Sequence, residues 1–170
     1  GLDPGERVAI LLANSVEWVC FEQAALGLGL VVVPLYTWDS PENLAYLLGD
    51  SGSRMLLTGS LDQWQPLAPH IPPSAQLSRV LYLATSDQRP AAIPGITFTS
   101  IPSWLTGAVD QQPSPQKLHP DDLATLVYTS GTTGPPKGVM LSHRNILSNA
   151  EAILAVISCT PTDLLLSFLP

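Results

Sequence analysis

Residues 5–36 read "GERVAILLANSVEWVCFEQAALGLGLVVVPLY", and their spacing decides the fold. "RVAILL" (7–12) is a short apolar run after the turn "DPGE". Asn14 and Ser15 are candidate N-caps for "NSVEWVCFEQAALGLG" (14–29), whose apolar residues recur at helical spacing until the glycines end it. "LVVVPL" (30–35) is β-branched and apolar on both faces, which suits a strand buried between two helical layers.

The pattern continues downstream. "SPENLAYLLGDSG" (40–52) places Ser40 as a cap and Pro41 at the first helical position, and ends at glycine. "RMLLTG" (54–59) follows as a third short strand. Strand, helix, strand, helix, strand over residues 1–59 predicts an α/β fold, a parallel-rich sheet covered by helices. The next region, 60–120, holds most of the prolines, which resist continuous helix. Its strand candidates are "RVLYLA" (79–84) and "ITFTSI" (96–101), with exposed loops predicted at 85–95 and 107–120. Order returns over 121–170. "LATLVYT" reads as a strand, then a glycine-rich loop, then a helix "HRNILSNAEAILAVI" capped by Ser142, then "TDLLLSFLP" as a strand. A loop in that position falls at the carboxyl edge of a parallel sheet, where open α/β folds bind ligands.

Charged residues make up only 12% of the chain, and the formal net charge is −7. The acidic balance disfavours a nucleic-acid surface, because phosphate backbones select basic patches. No Asp or Glu falls between Asp122 and Glu151, while Lys137 and Arg144 both do, so the loop lies in a locally positive window. Cys20 and Cys159 are the only cysteines and have no metal-type spacing; buried, reduced thiols in a cytoplasmic protein are expected. No apolar run reaches the ~18 residues that span a bilayer, and nothing in the sequence indicates membrane association. The chain begins on Gly1 and stops on "LLLSFLP", and both ends are expected to be cut rather than natural.

The loop "YTSGTTGPPKGV" (128–139) sets out a polyanion-binding inventory. Thr129, Ser130, Thr132 and Thr133 offer hydroxyls, the glycines allow close backbone approach, and Lys137 adds a mobile cation. A Walker A loop is disfavoured. Counted from Gly131, its second glycine would fall on Pro136 and its metal-binding hydroxyl on Gly138. The dinucleotide pattern GxGxxG is absent as well. His143 and Arg144 read as a solvated first turn, His70 and His119 as exposed, and Trp18, Tyr36 and Trp38 as packing residues. Asp121 and Asp122 need not bind metal.

The stretch "YTSGTTGPPKGVMLSHRNI" (128–146) resembles the phosphate-binding signature of the adenylate-forming (AMP-binding) superfamily. Residues 5–36, "PENLAYLLGDSGSRMLLTG" (41–59) and "DLLLSFLP" (163–170) resemble further parts of its large N-terminal domain. The resemblance implies that residues 1–170 form part of that domain, with 60–120 variable and the C-terminal lid domain absent. It implies an acid–thiol ligase that joins a carboxylate to ATP, releases pyrophosphate and passes the acyl group to coenzyme A. By resemblance, Thr129, Ser130, Gly131, Thr132, Thr133, Gly134 and Lys137 hold the ATP phosphates, Lys137 carries catalytic charge, and Thr129 contacts Mg²⁺. Similarity to long-chain acyl-CoA synthetases implies a fatty acid as substrate. The alternatives are a module that loads a carrier protein in a peptide or polyketide synthase, and a non-catalytic truncated paralogue. The family's adenine, ribose and lysine motifs are not found here, so the chain alone is expected to bind nucleotide weakly, if at all, and not to catalyse adenylation.

Overall fold

A computed structural model describes residues 1–83, 90, 92–106, 116–129, 134–158 and 160–164. Arg7–Leu11 forms β1, Val16–Gly27 forms α1, and Val31–Pro34 forms β2. Pro41–Asp50 forms α2 and Ser53–Thr58 forms β3, so the expected βαβαβ start is present. Its punctuation is chemical. Ser15 Oγ accepts from the Trp18 N–H at 3.1 Å to cap α1, and Ser40 Oγ accepts from the Asn43 N–H at 3.2 Å to cap α2. Gly29, at φ +75°, turns the chain from α1 into β2, a conformation that costs glycine little.

The remaining elements are α3 (Leu61–Leu67), β4 (Arg79–Tyr82), β5 (Thr97–Ser100), α4 (Ile101–Thr106), β6 (Leu123–Thr129), β7 (Lys137–Ser142) and α5 (His143–Leu154). The described strands form one sheet of order β5-β4-β3-β1-β2-β6-β7, parallel throughout except between β6 and β7. Side chains alternate across it, as strand geometry requires. Ala9, Leu11 and Val33 face a core with α2 and α3, while Val8, Ile10 and Val32 face one with α1.

Several expectations needed correction. Proline density in 60–120 argued against helix, yet α3 forms with Pro66 inside it and α4 forms with Pro102 in its first turn. In α3 the three-residue spacing of Leu61, Trp64 and Leu67 buries all three, and that burial outweighs the proline. The largest change is β7, which turns the last three residues of the predicted loop, 137–139, and the three that follow into an antiparallel return strand. Cys20 is exposed rather than buried, on a helix whose only fully buried side chain is Ala25. Cys159 lies outside the described residues. The strand expected at 162–170 is not formed at 162–164, and 165–170 lie outside the described residues.

Trp64 anchors the α2/α3 face. It is fully buried and meets the Phe98 ring edge-on at 5.4 Å between centroids, tying α3 to the edge strand β5. Trp64→Ala should lower unfolding free energy by about 3–5 kcal/mol, a large share of the roughly 5–15 kcal/mol that holds a domain. Urea unfolding followed by circular dichroism measures this, and a loss under about 1 kcal/mol would contradict the packing described.

Candidate functional site

The loop lies where parallel strand β6 ends. Strand β6 joins the parallel sheet at one register pair, Val32 with Thr125, reinforced by the Thr125 hydroxyl donating to the Val32 carbonyl at 2.7 Å. Strand β7 then returns antiparallel, with Leu126, Val127, Tyr128 and Thr129 opposite Met140, Val139, Gly138 and Lys137. The last pair brings the Thr129 hydroxyl and the Lys137 ammonium, eight positions apart in sequence, directly across from each other at the mouth of the loop. Both are exposed there. Gly134, at φ +124°, makes a turn inside the loop that an L side chain would strain. Of the residues expected to grip phosphate, the structure therefore places Thr129, Gly134 and Lys137. Ser130, Gly131, Thr132 and Thr133 lie outside the described residues.

The positive window narrows to a single cation. Arg144 donates to both Asp121 carboxylate oxygens, at 2.6 and 3.1 Å, and that contact holds the Asp121 carboxyl below its ordinary range. The Asp122 carboxylate accepts from the His119 N–H at 2.7 Å, so both acids organise the turn before β6. Among the described residues Lys137 makes no ion pair, which leaves its charge available to an anion. No described group of three His, Cys, Asp or Glu could hold a metal. Thr129 supplies only one hydroxyl oxygen, so this donor set does not hold Mg²⁺ without oxygen ligands from bound phosphates.

Beside the hairpin, at the carboxyl ends of β1 and β2, lies a cleft of about 470 Å³. It is bordered by Asn14, Trp18, Tyr36, Trp38 and Val127. Helices α1 and α2 follow those two strands onto opposite faces of the sheet, and such a divergence is where doubly wound sheets open a crevice. Trp18 packs partly against the core as expected, but Trp38 is 74% exposed and stands at the rim. The sequence offered no periodic signal separating a rim aromatic from a packing one. A second hollow of about 380 Å³ lies between α1 and α4 with an almost wholly apolar lining that includes Cys20 and Trp104.

Tyr128 is the least expected member. It precedes Thr129, is only 7% exposed, and donates its hydroxyl to the Asp50 carboxylate at 2.6 Å. Its cross-strand partner is Gly138, where a Cβ would come within 3.1 Å of the tyrosine ring. Glycine at this position thus makes room for the ring.

The chain belongs to the AMP-binding enzyme family, whose model matches residues 1–170. It is 34% identical over its full length to the long-chain-fatty-acid–CoA ligase FadD13 of Mycobacterium tuberculosis, spanning 31% of that protein. It is 32% identical over 96% of its length to the medium-chain fatty-acid–CoA ligase of Escherichia coli, spanning 28% of that protein. Among solved structures it resembles the anthranilate CoA ligase AuaEII in complex with anthranoyl-AMP, with a TM-score of 0.71 and 25% identity over 88% of this chain and 27% of that one. The chain therefore spans about a third or less of the relatives it matches. Among the described residues no helix is long and apolar enough to cross a membrane.

The Tyr128 phenol gives the hairpin an alkaline limit. Burial, and then the Asp50 hydrogen bond and charge, push its pKa well above the ordinary value. A pKa raised on folding contributes stability in full below the unfolded value of about 10 and loses it as pH rises from there toward the folded value. Tyrosinate absorbance should therefore leave one of the four tyrosines protonated above pH ~10 in the folded state. Tyr128→Phe should remove that late phase; its persistence in the variant would contradict the assignment.

Proposed function

We propose that this chain carries the phosphate-gripping part of an ATP-dependent acyl-CoA synthetase acting on a fatty acid. The observation that carries the reading is Lys137, without an ion pair among the described residues, set opposite Thr129 at the mouth of a glycine-rich loop in a chain of the AMP-binding family. Relatives named as fatty-acid–CoA ligases support the acyl class. The partners are small molecules: a carboxylic acid, ATP and coenzyme A. In this reading residues 1–170 are part of a large N-terminal AMP-binding domain, with 121–170 supplying the grip.

A carboxylate is a poor acyl donor because its leaving group would be oxide. In the first step a carboxylate oxygen attacks the α-phosphorus of ATP, and the bond to the pyrophosphate oxygen breaks. In the second, a thiol sulfur attacks the acyl carbon, loses its proton and expels AMP. The chain's own contribution falls on the first step. Lys137 and the hydroxyls of Thr129, Ser130, Thr132 and Thr133, with the backbone N–H groups of Gly131 and Gly134, hold the β- and γ-phosphates. They oppose the charge that gathers on the departing pyrophosphate. The Thr129 hydroxyl would help to hold Mg²⁺, which would supply further positive charge there.

Carboxylate-dependent exchange between ATP and pyrophosphate in the full-length protein tests this. Exchange should require an added acid, with fatty acids among the effective ones. Lys137→Ala should lower kcat/KM for ATP about 100-fold, the loss typical of removing one such donor, while the KM for the carboxylate stays put. No exchange with any carboxylate, or an equal loss toward both substrates, would contradict the assignment.

A further inference from the structure

Helix α2 reaches both ends of the phosphate loop. Tyr46 and Asp50 stand four residues apart and so share one side of the helix. Asp50 accepts the Tyr128 hydroxyl at 2.6 Å, and Tyr128 is the residue before Thr129. Tyr46 donates its hydroxyl to the Pro136 carbonyl at 3.4 Å, and Pro136 is the residue before Lys137. One rigid helix thus touches the chain immediately before each of the two groups that face each other across the loop mouth.

The Tyr128 ring is constrained from several sides. Its tip is held by Asp50, its body lies in the α2/α3 core, and Gly138 lies beneath it, where a Cβ would crowd the ring at 3.1 Å. Asp50 is also an odd choice for helix stability. It is the last residue of α2, where the helix dipole disfavours an anion and favours Lys or Arg. Arg7 relieves part of that cost by donating to the Ser51 carbonyl at 2.7 Å, bringing positive charge to the same helix end. The contact with Tyr128 gives the carboxylate a purpose that α2 alone does not.

We propose that Asp50, Tyr128 and Tyr46 form a strut that sets the separation of the Thr129 hydroxyl from the Lys137 ammonium. These are positioning residues for phosphate binding, and none of them touches the substrate. The inference rests on the phosphate-binding reading of the hairpin. Its effect is geometric: a reacting group misplaced by 1 Å costs on the order of 100-fold, whereas an exposed carboxylate such as Asp50, on losing its partner, is rehydrated at small cost.

Steady-state exchange kinetics and amide hydrogen exchange on the full-length protein and its variants test the strut. Tyr128→Phe keeps the ring and removes the bond. It should raise the KM for ATP about tenfold, leave the carboxylate KM unchanged, and speed amide exchange in 123–129 and 137–142. Asp50→Ala should behave the same way, and combining the two should be no worse than either. Asp50→Asn keeps an acceptor oxygen and should restore wild-type values. Additive effects of the two single variants, an unmoved KM for ATP, or failure of Asp50→Asn to rescue would each overturn the strut. If the wild-type protein folds but shows no exchange with any acid, the functional reading fails instead. The strut is then decided by amide exchange alone, and unchanged protection in Tyr128→Phe overturns it.

Discussion

The pairing of Val32 with Thr125 is the joint on which the site depends. It fastens the β6–β7 hairpin to the all-parallel part of the sheet, and the Thr125 hydroxyl locks it by donating to the Val32 carbonyl at 2.7 Å. Because β6 runs parallel to β1 and β2, its carboxyl end emerges on the same edge as theirs. The loop after β6 and the cleft after β1 and β2 are then neighbours. A one-residue slip in this register would exchange the faces of Thr125, Tyr128 and Thr129 together. The buried tyrosine would go outward and the exposed Thr129 hydroxyl inward.

A low charge count serves this arrangement. In a chain with 12% charged residues, a single unpaired ammonium dominates its surroundings. Asp121 removes the competing cation by taking up Arg144, and that same contact ties the start of α5 to the turn before β6. Lys137 is left as the one cation of the acid-free window without an ion pair among the described residues. An unpaired cation beside a sequence rich in hydroxyls and glycines is the inventory on which the polyphosphate proposal rests.

The first 59 residues were legible because each element there is declared locally, by a cap, a period and a glycine stop. Strand β7 was not. "KGVMLS" carries two features that argue against a strand, the preceding Pro135–Pro136 pair and Gly138, and it becomes one only by pairing with β6. The glycine read as a failed Walker position turns out to be the space beneath Tyr128. The Asp50–Tyr128 bond spans 78 residues and leaves no trace in local pattern. Helix α1 shows the opposite difficulty: its polar residues Glu17, Glu22 and Gln23 do not gather on one face, so its period could not say that Cys20 faces out. The loop's hydroxyls, glycines and lysine stand out as residue types, and of them the structure describes Thr129, Gly134 and Lys137.

The central claim is that Lys137 grips the β- and γ-phosphates of ATP. Calorimetric titration of the full-length protein and its Lys137→Met variant with ATP and with AMP tests it directly, because AMP lacks those two phosphates. Loss of one charge-assisted contact should weaken ATP binding about tenfold to 100-fold and leave AMP binding unchanged. Equal weakening of both nucleotides, or no change in either, would contradict the account.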